Sequence, residues 1–578
     1  MEYVYDLVGK IKQVTDPTGV YGFAYDNMGR LVGTTTRYSF LPNQTFTNAY
    51  TYDAASNRTG FTAPDGSTNA YSYDTLNRLS GLTNSLTGAF GFSYDALSRR
   101  TQLTRPNGVN TNYGYDLLSR LLSVLHQSGQ TTLDGASYTY DAAGNRTSKT
   151  NYLNGITENY TYDPLYELTQ VTQGSSTTET YSYDPVGNRL SSLGMSPYSY
   201  NSSNELTSTP SGSYTYDANG NTLSDAQGRS FTWDFENRLT QAVLPGANGG
   251  TMIFKYDPFG RRIQKSGLLG TSSYLYDGAN ALETIDESGG EIASYTQTEE
   301  IDESLAMLQS STMSYYHADG LGSVTSLSDA TGAIVQTYLY DTFGNKVSSS
   351  GSLVNPFQYT GREFDSETSL YYYRARYFDP SLGRFLSEDS SKENASGSTY
   401  MYVENSPVLF VDPSGMEPQN AGLVIGPHTT QQEIAQFNAG FAEALNRLKN
   451  PECRKLFSCK KNKDLDPAQV LQDTNYRIIP LAGNAGAVTN PSYSVFLSPT
   501  GPFFQTSTTA FIPFDNPQLT GMRQVQFDTP ADIAAFVLLH ELGHEVGIFP
   551  PDLFPFINGR HSLRVLEDCF KKGAKVEQ

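Results

Sequence analysis

Positive charge is scarce in this sequence, which has 39 Lys and Arg residues against 59 Asp and Glu residues and a formal net charge of −20. A nucleic-acid-binding surface needs clustered Lys and Arg to neutralise phosphates, so we expect no nucleic-acid partner. Long apolar runs are also missing, and none approaches the ~20 residues that a membrane-spanning helix needs. The N-terminus has neither the basic start nor the apolar stretch of a signal peptide. The sequence therefore predicts no membrane span and no signal peptide in this chain.

Cysteine is equally rare, with three residues at Cys453, Cys459 and Cys569. An odd number allows at most one intrachain disulfide, and the spacing leaves the pairing open. A bridge would indicate export, because disulfides persist in oxidising compartments. The chain also starts in the middle of a repeat, at Met1-Glu2-Tyr3-Val4-Tyr5-Asp6. We therefore expect it to be a piece of a longer protein or to start at an internal methionine.

Tyrosine and glycine are abundant, with 41 and 51 residues, a composition that disfavours helices and favours strands with frequent turns. A short unit recurs at a period of roughly 16 to 27 residues, within the range of stacked repeats. Each unit has an aromatic-Asp step, a turn, and then an Arg. The clearest examples are Tyr25-Asp26 before Gly29-Arg30, Tyr73-Asp74 before Asn77-Arg78, Tyr94-Asp95 before Arg99, Tyr140-Asp141 before Gly144-Asn145-Arg146, Tyr183-Asp184 before Gly187-Asn188-Arg189, Trp233-Asp234 before Asn237-Arg238, and Tyr256-Asp257 before Gly260-Arg261.

The physical role of each part of the unit follows from its residue type. Tyr71-Ser72-Tyr73 and Tyr138-Thr139-Tyr140 alternate aromatic and small polar residues, which is the period of a strand. The Asp accepts backbone N–H bonds and starts a turn, and Gly or Asn supplies the positive φ of a tight hairpin. The Arg then begins the return strand. Because one hairpin cannot bury its own face, neighbouring hairpins must stack.

This series of units resembles the YD-repeat, or RHS-repeat, family over about residues 1 to 415. The resemblance implies a mainly β shell, in which stacked antiparallel hairpins form a spiralling sheet around a hollow interior. A structural role for the Tyr and Arg ladder is our interpretation, and a carbohydrate-binding surface is the alternative. On this basis residues 1–310 are the repeat shell.

A more specific part of the resemblance covers residues 311–416. The segments that carry it are Tyr315-Tyr316-His317-Ala318-Asp319-Gly320-Leu321-Gly322, Tyr359-Thr360-Gly361-Arg362-Glu363-Phe364-Asp365, Leu370-Tyr371-Tyr372-Tyr373-Arg374-Ala375-Arg376-Tyr377, Gly383-Arg384-Phe385, and Asp412-Pro413-Ser414-Gly415-Met416. They are similar to the RHS-associated core of polymorphic toxins. In that family the closing segment separates the shell from a variable effector.

The composition changes after the closing segment, and residues 417–578 read as a separate small α+β domain. Thr430 and Glu433 form a capping box ahead of apolar residues at helical spacing. Short strands are predicted at Tyr493–Leu497 and Ala510–Ile512. A second helix is predicted to begin at Thr529 and to end at Gly547.

The second helix carries His540-Glu541-Leu542-Gly543-His544, and the whole chain has only six histidines. Two histidines four residues apart lie on one face of a helix, so both can bind a single Zn²⁺. Glu541 is then placed to accept a proton from a zinc-bound water, whose pKa the metal lowers to about 7. The motif resembles that of the zincin metalloproteases. Two unremarkable helix histidines beside a solvated glutamate are the alternative.

The third zinc ligand is left open by the sequence. Gly547 follows the metzincin-like pattern, but Pro550 occupies the position of the next ligand. We favour Asp552, which the Pro550-Pro551 turn would bring back toward the metal. His561 is the first alternative. Glu567 is the second, because gluzincin-like proteins take a Glu from a following helix.

Proteins with an RHS core cut themselves just after it, and the resemblance assigns that reaction to an Arg and two Asp residues. In this chain they fall on Arg376, Asp389 and Asp412, and the expected cut follows Met416. Two carboxylates held together share a proton, so one can act as base and the other as acid. This sequence has Met416 where the family usually has Leu and Ser390 where it usually has Pro. Simple turn formation by the two Asp residues is the alternative.

The resulting hypothesis is a secreted or cell-surface polymorphic toxin that is delivered to a target cell. Its shell encloses a zinc-dependent peptidase that aspartyl-type self-cleavage releases. The expected partners are a protein substrate in the target cell, a cognate immunity protein and a secretion apparatus. Two other readings stay open: a non-enzymatic adhesion protein, and a zinc amidase that acts on cell-wall material.

We expect Glu541→Ala to keep its zinc and to lose hydrolysis by roughly a hundredfold or more, because it removes a general base and no ligand. Metal content and casein turnover check this, with His540→Ala as the variant that should lose the metal. A Glu541→Ala protein with full turnover would show that another group is the base.

Overall fold

The computed structural model describes residues 1–246, 249–389 and 398–416 in full. Beyond residue 416 it describes the backbone of short strands only, within residues 419–420, 423–424, 475–478, 487–490, 494–497, 509–516, 519–527 and 574–576. The chain falls into two compact units. The first contains residues 1–116, 121–141 and 145–419, and the second contains residues 117–120, 142–144 and 420–578.

The first sheet is an antiparallel meander of 18 strands, in which each strand pairs with the next along the chain. Its strands are β1 Glu2–Tyr5, β2 Ile11–Asp16, β3 Gly19–Tyr25, β4 Leu31–Tyr38, β5 Phe46–Tyr52, β6 Arg58–Thr62, β7 Thr68–Tyr73, β8 Leu79–Asn84, β9 Gly88–Tyr94, β10 Arg100–Thr104, β11 Val109–Tyr115, β12 Leu121–Ser128, β13 Thr131–Tyr140, β14 Arg146–Asn151, β15 Thr157–Tyr162, β16 Leu168–Gln173, β17 Ser176–Tyr183 and β18 Arg189–Ser192. A three-stranded sheet follows, with β19 Ser199–Tyr200, β20 Leu206–Thr209 and β21 Gly212–Ser213.

The second large sheet repeats the same arrangement with 14 strands. Its strands are β22 Thr215–Tyr216, β23 Thr222–Ser224, β24 Ser230–Trp233, β25 Leu239–Val243, β26 Thr251–Tyr256, β27 Arg262–Gly267, β28 Gly270–Asp277, β29 Asn280–Ile285, β30 Glu291–Gln297, β31 Ser304–Gln309, β32 Thr312–Ala318, β33 Val324–Ser328, β34 Ile334–Tyr340 and β35 Lys346–Ser350. The division that the sequence suggests at residue 310 falls in the turn between β31 and β32 of this sheet. The predicted β fold of stacked antiparallel hairpins is confirmed.

A small four-stranded antiparallel sheet then forms from β36 Glu363–Asp365, β37 Leu370–Tyr373, β38 Arg376–Asp379 and β39 Arg384–Phe385. Two 3₁₀ turns, Tyr359–Gly361 and Val403–Asn405, flank it, and β40 Phe410–Val411 follows. These two turns are the only helical elements within the described residues.

The described strands of the second unit form two further sheets. β41 Gln419–Asn420 precedes these two sheets. Their strands are β42 Leu423–Val424, β43 Asn475–Ile478, β44 Ala487–Asn490, β45 Ser494–Leu497, β46 Thr509–Asn516, β47 Leu519–Phe527 and β48 Ala574–Val576. β42 and β45 each lie parallel to β43, whereas β46 to β48 are antiparallel. β45 and β46 coincide with the two predicted strands. The two predicted helices and the three cysteines lie outside the described residues.

The turn of the repeat unit is built around the Asp side chain. In the turn after β3, Asp26 Oδ1 accepts the backbone N–H groups of Met28 and Arg30, each at 2.9 Å. Asp26 Oδ2 accepts Arg30 Nε at 2.7 Å, and Gly29 supplies a φ of +78°. Tyr25 pairs with Leu31, so the loop has five residues and is longer than a tight two-residue hairpin. The Asp closes this longer loop because its two oxygens satisfy three donors.

In many units the Tyr is bonded to the preceding unit. Tyr94 OH donates to the carbonyl of Leu79 at 2.9 Å, and Arg78 lies 4.7 Å from the centre of the Tyr94 ring. The same phenol-to-carbonyl bond recurs along both large sheets, and in the tryptophan variant the indole Nε1 of Trp233 donates to the carbonyl of Thr222 at 2.7 Å. Other examples are Tyr52 to Leu31, Tyr140 to Leu121, Tyr183 to Leu168, Tyr256 to Leu239 and Tyr340 to Val324. The Tyr and Arg ladder is therefore structural.

Buried polar contacts join the two large sheets. Tyr38 OH donates to the carbonyl of Tyr274 at 2.6 Å, and Arg58 pairs with Asp277 at 2.5 Å. A buried histidine pair, His126 and His317, lies at the same junction with ring centres 4.8 Å apart. His126 Nε2 lies 3.1 Å from the carbonyl of Ala318, so it donates there as a neutral ring.

None of the helices in the described residues has the length and apolar character to cross a membrane.

We expect Tyr94→Phe to lower the free energy of unfolding by about 1 kcal/mol, because it removes the hydrogen bond to the Leu79 carbonyl and leaves that oxygen without the phenol. Urea unfolding measures the difference. Tyr152→Phe is the matched control, since the Tyr152 side chain is 46% exposed. Equal losses in the two variants would contradict a role for the phenol bond.

The histidine pair predicts loss of stability in acid. Burial lowers the pKa of His126 to about 4 and that of His317 well below its ordinary value. An unfolded histidine binds its proton below a pH of about 6.5, so stability is lost as the pH falls from there toward 4.

Burial also raises the pKa of Glu283 to about 8, and this carboxyl acts in the opposite direction as the pH rises. The test therefore compares the pH dependence of stability in the wild type with that in a variant of the pair. His126→Gln should reduce the stability lost between pH values of about 7.5 and 5 by about 2 kcal/mol in urea unfolding. An unchanged pH dependence in His126→Gln would rule out the histidine pair as the cause of the stability lost in acid.

Candidate self-cleavage site

Three residues that are far apart in the sequence meet beside the small sheet. Arg376 begins β38, Asp389 follows β39, and Asp412 follows β40. All three are buried, with exposed fractions of 5%, 5% and 2%. The small sheet positions them because it pairs β38 with β39 and so brings the chain after β39 back past Arg376.

A single guanidinium nitrogen of Arg376 joins the two carboxylates. Its Nη2 lies 3.1 Å from Asp389 Oδ2 and 3.4 Å from Asp412 Oδ2. The guanidinium stacks on Phe385 with 3.6 Å to the ring centre, and its Nη1 donates to the carbonyl of Thr399 at 3.1 Å. Burial lowers the pKa of Arg376, and the two aspartates act against that shift. Because both contacts are to the same nitrogen, the guanidinium brings the two carboxylates to one buried place.

Asp412 also shapes the segment that follows it. Its Oδ1 accepts the N–H of Gly415 at 2.8 Å and the N–H of Met416 at 3.1 Å. Arg376 Nε donates to the carbonyl of Gly415. Gly415 has a φ of +73°, and a Cβ there would lie 2.1 Å from the carbonyl oxygen of Tyr373. Residues 412–416 are thus folded back onto the small sheet, and only glycine fits at position 415.

A buried ion-pair network holds the small sheet against the second large sheet. Arg262, which is 1% exposed, pairs with Glu363 at 2.7 Å and also with Asp365. Lys265 pairs with Asp365 at 3.1 Å and with Glu367 at 3.2 Å. Because every one of these charges has a partner, the network fixes β36 against β27 without leaving an isolated buried charge.

Sequence reasoning gave Arg376, Asp389 and Asp412 and missed Arg374. The Arg374 side chain donates to the carbonyl of Pro413 and pairs with Asp302 at 2.8 Å. The sequence could have pointed to Arg374 through its position in the Arg-Ala-Arg step, two residues before Arg376.

The predicted metal site lies outside the described residues, and so do all of its candidate residues: His540, Glu541, His544, Asp552, His561 and Glu567. Among the residues that are described, no cluster of three His, Cys, Asp or Glu side chains is arranged to hold a metal ion.

Two family profiles match the chain. The Teneurin YD-shell family covers residues 135–408, and the RHS Repeat family covers residues 5–39. Together they include Arg376 and Asp389 and end just before Asp412.

Similar proteins include bacterial toxins. The tRNA3(Ser)-specific nuclease WapA of Bacillus spizizenii is 32% identical over 289 residues, which is 48% of this chain and 11% of that protein. The double-stranded DNA deaminase toxin A of Burkholderia cenocepacia is 26% identical over 206 residues, 30% of this chain and 14% of the toxin. The chain thus spans only a small part of the length of these relatives.

A solved structure has the same fold. The Photorhabdus luminescens Tc holotoxin pore aligns with a TM-score of 0.62 and 21% identity, over 71% of this chain and 24% of that one. From residue 1 to residue 416, the described part of this chain is thus similar to RHS and YD-repeat shells, and toxins are among its relatives.

Proposed function

We propose that this chain belongs to a polymorphic toxin whose shell holds an effector and cuts itself after Met416 to free it. The observation that carries the proposal is the contact of one Arg376 nitrogen with both Asp389 and Asp412, at 3.1 and 3.4 Å. An ordinary turn explains the backbone bonds of Asp412. It does not explain a buried guanidinium that joins a second carboxylate from residue 389 to the same place.

The chemistry of this pair is acid–base hydrolysis. One aspartate takes a proton from water, and the resulting hydroxide adds to the carbonyl carbon of Met416. The other aspartate, in its acid form, gives its proton to the carbonyl oxygen. As the tetrahedral intermediate collapses, the first aspartate passes the proton it took from water to the leaving nitrogen, and the second aspartate takes its proton back from the hydroxyl of the intermediate. The peptide bond breaks, Met416 gains a carboxyl group, and residue 417 gains an amine.

Arg376 supports this reaction in two ways. Its charge lowers the cost of holding two carboxyls together in a buried place. Its Nε, bonded to the Gly415 carbonyl, keeps the segment before the cut in register with the aspartates. The bonds from Gly415 and Met416 to Asp412 have the same effect from the other side.

For the effector we propose a zinc-dependent peptidase in residues 417–578. His540, His544 and Asp552 would hold the metal, with His561 and then Glu567 as alternatives, and Glu541 would be the base. Zinc would supply a water of lowered pKa and polarise the substrate carbonyl. The relatives named above have other activities, a tRNA nuclease and a DNA deaminase, and the His-Glu-Leu-Gly-His motif is what supports peptide hydrolysis in this chain.

Containment also suggests partners. A hydrolase that is free in its producer is hazardous, so we propose a cognate immunity protein, a secretion apparatus and protein substrates in a target cell. Incubation of the purified protein with casein, tRNA and duplex DNA, each with and without a chelator, separates the activities. Casein cleavage that the chelator abolishes supports the peptidase, and cleavage of tRNA or deamination of DNA contradicts it.

We expect the wild-type chain to yield a fragment that begins at Glu417, and Asp412→Asn and Asp389→Asn each to remain one chain. Both changes keep the shape of the side chain and remove its acid–base function. Gel electrophoresis over time and mass spectrometry of the new N-terminus are the measurements.

Asp26→Asn is the matched control, because Asp26 sits in a repeat turn and accepts two backbone N–H bonds in the same way. It should be cut at the wild-type rate. Cleavage of Asp412→Asn at that rate, or an intact wild-type chain, contradicts self-release.

A further inference from the structure

The hairpin tip between β37 and β38 holds three successive carbonyl groups of the segment before the cut. The Arg374 side chain donates to the carbonyl of Pro413, the Ala375 N–H donates to that of Ser414 at 3.2 Å, and Arg376 Nε donates to that of Gly415. Three consecutive residues thus bind three consecutive peptide groups. The N–H groups of residues 415 and 416 are held by Asp412.

Arg374 is itself fixed by neighbours outside the hairpin. Its guanidinium donates to both carboxylate oxygens of Asp302, at 2.8 and 3.2 Å, and lies 3.3 Å from the carbonyl of Ala279. Asp302 is also paired with Arg362, so it keeps a cationic partner without Arg374. The loops after β28 and β30 therefore hold the guanidinium in one orientation.

The backbone of Arg374 is strained. Tyr373 pairs with Arg376, so Arg374 and Ala375 form a two-residue turn, and Arg374 has a φ of +57°. Side chains other than glycine rarely adopt this conformation, and the cost is of order 1 kcal/mol. Glycine would suit the turn better, so the arginine is kept at a cost to stability.

We propose that Arg374-Ala375-Arg376 is a clamp on the backbone that sets which peptide bond is cut, with Arg374 as a positioning residue. This inference rests on the proposed self-cleavage. The clamp binds carbonyl oxygens, which every residue has, so it does not select the side chains at positions 413, 414 and 416. Only Gly415 is required, for steric reasons. The position of the cut is then fixed by which carbonyls the clamp binds, those of residues 413 to 415.

Arg374→Gly tests the clamp in the full chain, because glycine accepts the positive φ while the guanidinium is lost. We expect the midpoint of thermal unfolding to stay within roughly 2 °C. Self-cleavage should slow roughly tenfold to a hundredfold, the effect of one lost charge-assisted hydrogen bond. Added guanidinium ion, at concentrations well below those that denature, should restore part of the rate. A residue that only stabilised the turn would show no such rescue.

Two further variants complete the design. Ser98→Gly relieves the same strain in a repeat turn, where φ is +61°, and should be cut at the wild-type rate. Arg374→Lys keeps the charge and loses the forked geometry, so it should also slow cleavage. If Arg374→Gly fails to fold, the cleavage rate of Arg374→Lys tests the clamp in its place.

The outcomes separate the clamp from the reaction. If the wild type stays intact, or Asp412→Asn is cut as fast as wild type, the proposed function fails and the clamp with it. If wild type is cut and Asp412→Asn is not, but both Arg374 variants are cut at the same bond and rate as wild type, the clamp alone is overturned. Slow cutting with rescue by guanidinium supports it.

Discussion

The structure depends on one recurring interaction, the hydrogen bond from the phenol of a Tyr-Asp step to a backbone carbonyl of the preceding repeat. The Arg or Asn that ends the earlier turn bonds to its own Asp, and where it is Arg it also packs on the next Tyr ring. In the turn after β7, Arg78 Nε donates to Asp74 Oδ2 at 2.7 Å while its guanidinium lies over Tyr94. A single repeat therefore leaves donors and acceptors unused, and only a neighbour in the series satisfies them.

This ladder supplies the frame on which the candidate site is built. Residues that carry the proposed reaction come from positions 374 to 416, but their supports come from much earlier in the chain. Arg262 and Lys265 in the second large sheet hold the carboxylates of β36, and Asp302 holds Arg374. The charges are buried and paired, so the small sheet has one position relative to the large one. A peptide segment can be held to within a hydrogen-bond length only by such a rigid support.

Much of the fold could be predicted because the repeat unit is a local pattern. The alternation in Tyr71-Ser72-Tyr73 gave a strand, and the structure has β7 there with Tyr71 buried and Ser72 exposed. The Asp turn was also predicted, although the loop has five residues, since the two oxygens of one Asp can close a longer loop than a two-residue hairpin. Arg376, Asp389 and Asp412 followed from the family resemblance and lie together. Arg374 was missed because its partners, Asp302 and Ala279, are far away in the sequence.

What the sequence determined by itself is therefore the repeated hairpin, the excess of acidic over basic residues, and the residue types available for hydrolysis. These depend on side-chain chemistry and on spacings of a few residues. Only the tertiary structure decided that one guanidinium joins Asp389 to Asp412, and that a strained turn binds three carbonyls in a row. Such contacts depend on how the sheets pack over separations of tens to hundreds of residues, and a local pattern carries no information about distances of that kind.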